Sequence, residues 1–242
     1  MSRLLSIIIW LTALALAIFV ALPQAYNAGL LEWTDMFAWT RKLVPVLLIG
    51  GGLSLLATIG LFLVKRPGAA LMGILIGVLA FVPVYSLKKM KEVSQMVPMI
   101  HDITTDTQDP PQFIALAGKR AKASNPDDYD RTQTAQQLKA YPDLKTFISD
   151  KPMDDVFAAS VEALEAMGIE IVEADRQGGQ IEGTATTKWF RFKDDIIIRL
   201  RQSETGVAVD MRSKSRVGKS DLGTNAKRIR RFMQLLEAKL ED

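Results

Sequence analysis

There is no cysteine anywhere in the chain, and there is a single histidine, His101. The first absence excludes disulfides, a thiol nucleophile and a thiolate metal site. It fits either side of a membrane and so assigns no compartment. The second means that any histidine-based triad or metal site must be built on His101. Charge is also scarce at one end. Residues 1–87 hold only seven charged side chains: Arg3, Glu32, Asp35, Arg41, Lys42, Lys65 and Arg66. The rest of the chain holds 25 basic and 25 acidic residues. The formal net charge of +3 therefore arises in the apolar end, and it gives no reason to expect nucleic acid as a partner.

What fills the uncharged end is hydrocarbon. Leu4 to Leu22 is 19 residues without a charge, and Val44 to Val64 and Pro67 to Leu87 are 21 each. Each meets the requirement of about 20 residues for a helix crossing a hydrocarbon core about 30 Å thick. A helix buried in a soluble protein would carry a polar stripe, and none is present. The first segment is longer than a signal-peptide core and lacks an A-x-A cleavage site after Leu22, so it reads as an uncleaved anchor. Trp33, Phe37 and Trp39 suit an interfacial aromatic belt, with Leu30–Trp39 lying along the surface. Lys65-Arg66-Pro67-Gly68 is a tight turn that makes the second and third spans a hairpin. Ala69, Gly73 and Gly77 recur every fourth residue, a small face on which another helix can approach closely. No ionisable residue lies inside a span, so nothing suggests an ion path.

Sidedness is a closer matter. With the 65–66 turn in the cytoplasm, Arg3, Lys65 and Arg66 lie inside, against Arg41, Lys42, Lys88, Lys89 and Lys91 outside. The positive-inside rule leans mildly against an external C-terminal domain.

Residues 88–100 read as a juxtamembrane linker, and 101–242 as a soluble domain. From His101 to about Asp150 prolines punctuate the chain, with weak helical patterns at Ile114–Ala123 and Arg131–Ala140. Pro152 to Met167 then places Val156, Phe157, Ser160, Leu164 and Met167 on one helical face, stopped by Gly168. Four strands follow, at Glu170–Asp175, Gln180–Thr187, Phe190–Gln202 and Val207–Ser213. In the third, Ile196, Ile198 and Leu200 alternate with Ile197, Arg199 and Arg201. In the fourth, Val207, Val209 and Met211 alternate with Ala208, Asp210 and Arg212. That alternation predicts one buried and one solvated sheet face. Ile229, Phe232, Met233, Leu236 and Leu240 form the apolar stripe of a closing helix. The expected fold is a membrane-anchored α+β chain: three N-terminal transmembrane helices, then a two-layer sandwich of a four-stranded antiparallel sheet with helices on one face.

The segment His101–Phe113, HDITTDTQDPPQF, resembles the opening signature of a bacterial and plastid family, domain of unknown function 1499. The resemblance continues through Ala140–Asp143, Ile181–Ala185 and Phe192–Asp195. It closes with Asp210–Gly223, DMRSKSRVGKSDLG, and Asn225–Ile229. It spans about residues 100–240. It implies no activity, cofactor or catalytic residue. It does imply an envelope or lumenal location, because many members look exported, and this favours an external C-terminal domain despite the charge count.

Several constellations invite chemistry. Gly218-Lys219-Ser220 lacks the earlier glycine of a Walker A loop, since Ser213 stands there, and it follows an antiparallel strand. His101 with Asp102, Asp106 and Asp109 could offer a nitrogen and several oxygens to a metal. The spacing matches no established metal loop, and turns and caps are the ordinary use of such residues. Asp194 and Asp195 point to opposite faces of a strand and cannot form a carboxylate pair. Asp154 and Asp155 favour the start of their helix.

Charge segregation is the more informative pattern. Lys188–Arg231 carries a net +8 and Asp102–Thr187 a net −8. The two halves can neutralise each other across the fold. Yet Lys227, Arg228, Arg230 and Arg231 occupy the first turns of the last helix, where the macrodipole disfavours cations. Arg212, Lys214, Arg216 and Lys219 lie just before it. The expected ligand-binding set is therefore Arg212, Lys214, Arg216, Lys219, Lys227, Arg228 and Arg231. An anionic ligand, a lipid headgroup or an acidic protein partner would relieve the conflict. The leading reading is a non-enzymatic, membrane-tethered domain of the cell envelope, in the inner (cytoplasmic) membrane with a periplasmic C-terminal domain. It needs no metal or cofactor, and its partners are the lipid bilayer and that anion. The rivals are a hydrolase using His101 with Asp102 or Asp106, and a structural subunit docking through the small-residue face.

Overall fold

The computed structural model describes residues 2–121 and 123–241 and divides into two compact units. The first comprises residues 1–93 with Trp189–Arg191. Its helices are α1 (Ser2–Asn27), α2 (Trp33–Leu63) and α3 (Pro67–Met96), each long and apolar enough to cross a membrane. They overrun the expected spans. Trp33, Phe37 and Trp39 belong to α2 itself, and the segment read as a linker continues α3 as far as Met96. Nothing in Lys88–Met96 breaks a helix, and the first proline after Pro83 is Pro98. Lys65, at a φ of 54°, makes the turn between α2 and α3.

Small and hydroxylated side chains hold these helices together. Thr12 of α1 accepts from Ser54 of α2 at 3.1 Å, and Thr58 of α2 donates to the Ala70 carbonyl of α3 at 3.3 Å. The buried face of α3 is Ala70, Gly73, Gly77, Ala80 and Pro83. A Cβ on Gly77 would meet the Leu55 side chain at 2.8 Å, and one on Gly51 would meet Gly77 O at 3.1 Å. The every-fourth-residue pattern thus reports close helix packing.

The second unit, residues 94–188 and 192–242, is a six-stranded antiparallel sheet rather than a four-stranded one. A meander of β3 (Glu170–Asp175), β4 (Gln180–Thr186), β5 (Lys193–Ser203) and β6 (Gly206–Ser215) provides four neighbours. Two further strands, β1 (Asp102–Thr104) and β2 (Phe147–Ser149), share the outer edge of β6. β1 pairs with its Arg212–Lys214 stretch and β2 with Val207–Val209. Three residues are too few to show an alternation, so both lay hidden in the irregular region. β5 begins at Lys193 and not at Phe190, because Thr187 and Phe192 close a loop between them and Arg191 turns left-handed at φ 58°.

Helices α6 (Met153–Ala166) and α7 (Thr224–Glu241) cover one sheet face. There Ile181, Ile196, Ile198, Leu200, Val207, Val209 and Met211 pack with Val156, Leu164, Ile229, Phe232 and Leu236. Each such side chain, fully buried, contributes about 1.5–3 kcal/mol. The expected alternation is there, but the opposite face is not solvated. Residues 105–130, with the short α4 (Ala117–Arg120), fold over it, and Phe113 and Leu116 pack on Ile197. A 3-10 turn (Arg131–Gln133) and α5 (Thr134–Ala140) follow, and Gln137 of α5 exchanges hydrogen bonds with the Thr104 backbone.

Candidate functional site: buried ion pairs and a cation-lined cleft

Strand alternation sends Glu182 and Thr184 of β4, Asp195 of β5 and Asp210, Arg212 and Lys214 of β6 to the face covered by residues 105–130, and Arg216, just after β6, joins Asp195 there. A charge there can persist only if it is paired. Asp102 on β1 receives Arg212 through two donors, at 2.9 and 2.8 Å, and Lys214 at 2.9 Å. Arg212 and Lys214 are 0% and 1% exposed. Burial pulls the Lys214 ammonium below its ordinary range, and the adjacent Asp102 carboxylate acts against that shift. The remaining donors of Arg212 reach the Pro111 and Asp127 carbonyls, and Lys214 reaches that of Asp128.

Asp195 is equally enclosed. It accepts from Arg120 at 2.7 Å, from Arg216 at 2.8 Å through each oxygen, and from Thr184. The guanidinium groups of Arg120 and Arg212 lie 5.1 Å from the Phe113 ring on its cation-π side. Glu182 takes the backbone N–H groups of Ile114, Ala115 and Leu116 at 2.7–2.9 Å, which satisfies the turn leading into α4. At the far rim, Arg199 and Arg201 both bridge Asp106, Asp109 and Asp210.

The residues of the hydrolase or metal reading are thus sent to different partners. Asp102 faces Arg212 and Lys214, while Asp106 and Asp109 face Arg199 and Arg201. The His101 carbonyl accepts from Ser215 N and Asn225 Nδ2, both at 3.0 Å. Its imidazole is half-buried, and that burial, with the Lys214 charge next, lowers its pKa from the ordinary 6.5. Asp194 and Asp195 do lie on opposite faces, Asp194 meeting Arg228 at 2.8 Å. The Gly218-Lys219-Ser220 loop is tied by Asn125, whose Nδ2 donates to Gly218 O at 2.9 Å.

The seven expected ligand-binding cations separate into two groups. Arg212, Lys214, Arg216 and Arg228 are paired inside the domain with Asp102, Asp195 and Asp194. Lys219, Lys227 and Arg231 are exposed, and none has a carboxylate at salt-bridge distance among the described residues. Lys227 and Arg231, with Arg228, Thr186, Thr224 and Gly168, line an open cleft of about 460 Å³ beside the first turns of α7. Several backbone donors of that helix end are engaged already, Thr224 N with Asp221 O and Lys227 N with Gly223 O. Asp221 caps it, accepting from Asn225 N at 2.7 Å and Gly223 N at 2.8 Å. Burial holds the Asp221 carboxyl above its ordinary range. A ligand in the cleft would meet side-chain cations and hydroxyls. Glu182, Arg120 and Asp221 escaped the sequence reading. The available signal was an acid set in an apolar strand, as Glu182 is between Ile181 and Gly183.

Comparison with known families agrees with this geometry. The model of the family described as protein of unknown function (DUF1499) matches residues 102–236, over half of the chain, and the chain belongs to that family. Among curated proteins none matches it.

Two outcomes follow. Asp102→Asn leaves Arg212 and Lys214 buried without their counter-charge, and should cost about 3–5 kcal/mol in urea unfolding of the soluble domain. A loss below about 1 kcal/mol would mean that water reaches these cations. His101 is neutral in the folded state at pH values where the unfolded chain binds a proton. Its contribution is therefore complete above 6.5 and is lost as pH falls below that value. His101→Gln should flatten the stability profile between about pH 7 and 5, above the usual carboxylate range. An unchanged slope would place that dependence elsewhere.

Proposed function

We propose that this DUF1499 member is a membrane-tethered envelope protein whose soluble domain binds, without catalysis, an anionic ligand, a lipid headgroup or an acidic partner. Lys227, Arg228 and Arg231 line the cleft, and Lys219 lies on the loop before the helix. The observation that carries this reading is the exposure of Lys227 and Arg231 near the positive end of α7 with no carboxylate at salt-bridge distance among the described residues. Two cations one turn apart repel each other, and each is disfavoured there by about 0.3–1 kcal/mol. Asp194 neutralises Arg228 and Asp221 caps the backbone, so the excess charge belongs to the other two side chains. Thr186 and Thr224 add hydroxyls at the same cleft, a donor set suited to phosphate or carboxylate oxygens. Membrane attachment in this reading rests on the length and apolarity of α1–α3.

The test uses the 94–242 fragment. At equal ionic strength, phosphate should raise its melting temperature above that in chloride by about 2–4 °C for each kcal/mol of binding. General salting-out also stabilises folded chains, so the comparison includes Lys219→Gln with Lys227→Gln and Arg231→Gln. Arg228 is left intact because its loss would strand Asp194. The variant should lose the phosphate-specific part and its binding to anionic vesicles. Equal shifts in both chains, with no vesicle binding, would overturn the reading.

For topology, we place the N-terminus and the 65–66 turn in the cytoplasm and the soluble domain in the periplasm, following the exported character of similar proteins. An alkaline phosphatase fused after Asp242 should be active. An inactive fusion, with an active cytoplasmic reporter at the same point, would reverse the assignment.

A further inference from the structure

The helical unit contains an apolar groove of about 540 Å³ that is separate from the cation-lined cleft. Leu16, Phe19 and Val20 of α1 form one wall, and Leu79, Val82, Pro83, Ser86, Leu87 and Met90 of α3 form the other. Trp189 and Phe190 lie across it, Trp189 with its ring centre 6.3 Å from that of Phe19 and Phe190 at 5.6 Å from Phe37. Trp189 remains 50% exposed, although tryptophan is ordinarily far better covered.

The dimensions identify the occupant. Leu79 to Met90 spans eleven residue steps of α3, about 16 Å at 1.5 Å per residue. That is close to half of a hydrocarbon core about 30 Å thick, the depth of one leaflet. Along α3 the lining is apolar from Leu79 to Pro83, and the polar Ser86 appears near its C-terminal end. Lys89 precedes Met90 there and shares the helix side of Val82 two turns before it, Arg191 follows Phe190, and both cations are exposed. Lys89 also lies 6.0 Å from the Tyr85 ring. Tryptophan, tyrosine and lysine concentrate at the headgroup level of membranes. Polarity therefore grades from hydrocarbon to cation over the length of a single acyl chain.

We propose that this groove holds one acyl chain of an anionic phospholipid, with its headgroup phosphate beside Lys89 and Arg191 and its upper methylenes against Trp189 and Phe190. The inference rests on α1 and α3 being membrane-embedded. A protein helix is a poorer occupant, because charge complementarity at one end and hydrocarbon along the rest describe a lipid.

The experiment uses the full chain in vesicles. Trp10→Phe, Trp33→Phe and Trp39→Phe leave Trp189 as the only tryptophan, and a second chain retains Trp10 alone. Trp10 is exposed on α1 and outside the groove, so any brominated phospholipid should quench it. Trp189 should be quenched by brominated phosphatidylglycerol at a mole fraction roughly fivefold lower than by brominated phosphatidylcholine. Lys89→Gln with Arg191→Gln should abolish that preference, while Val20→Phe with Val82→Phe should fill the groove and reduce quenching by both lipids. Quenching of Trp10 without quenching of Trp189, or quenching of Trp189 without preference in the parent chain, would overturn the groove assignment. Failure to quench Trp10 as well would instead refute the membrane-embedded reading, and the groove assignment with it.

Discussion

Four carboxylates on the covered face of the sheet, Asp102, Glu182, Asp195 and Asp210, set the constraint on which the C-terminal unit depends. A buried carboxylate without a partner costs several kcal/mol, so each must be reached by donors from another part of the chain. Asp102 is reached from β6, Asp195 from α4 and β6, Glu182 from the backbone before α4, and Asp210 from β5 and Thr105. Every one of these bonds joins the 101–130 region to the sheet or one strand to another. A segment with one short helix, α4, and no repeating pattern is thereby fixed against Ile197 through Phe113 and Leu116. Apolar burial holds the helix-covered face, and ion pairing specifies how the other face is closed.

This division explains what could be read from the sequence and what could not. Ile196, Ile198 and Leu200 alternate with residues of the other face, and the helix stripe Ile229, Phe232, Leu236 repeats at helical spacing, so the meander and its covering helices were legible. β1 and β2 were not, because three residues leave no period to detect and their partner, β6, is distant in sequence. The second face was expected to be solvated because Arg199, Asp210 and Arg212 are charged. Alternation tells which residues share a face, but not whether another segment covers it. For that, the useful sign was the −8 and +8 division of the domain, which is partly resolved by the pairs of Asp102 with Arg212 and Lys214, of Asp106 and Asp109 with Arg199 and Arg201, and of Asp143 with Arg230.

The same logic narrows the candidate site. Seven cations stood together in sequence, yet the strand sends Arg212, Lys214 and Arg216 to the covered face, where carboxylates await them. All three of Lys227, Arg228 and Arg231 line the cleft, but Arg228 pairs with Asp194, whereas Lys227 and Arg231 have no carboxylate at salt-bridge distance among the described residues. Asp221 also changes the nature of that cleft. Its carboxylate takes the Asn225 backbone donor that an anion would otherwise use, which leaves recognition to flexible, hydrated side chains.

The two long family motifs therefore carry different kinds of information along their length. From Asp102 to Phe113 and from Asp210 to Arg216, the charged residues and Phe113 contact one another, and their identities are accounted for by closure of the domain. Lys219, Lys227 and Arg231 have no such internal task. Among the described residues these three meet no carboxylate, and they are the cations available to the proposed anion. Function in this domain is to be sought where the ionic network stops.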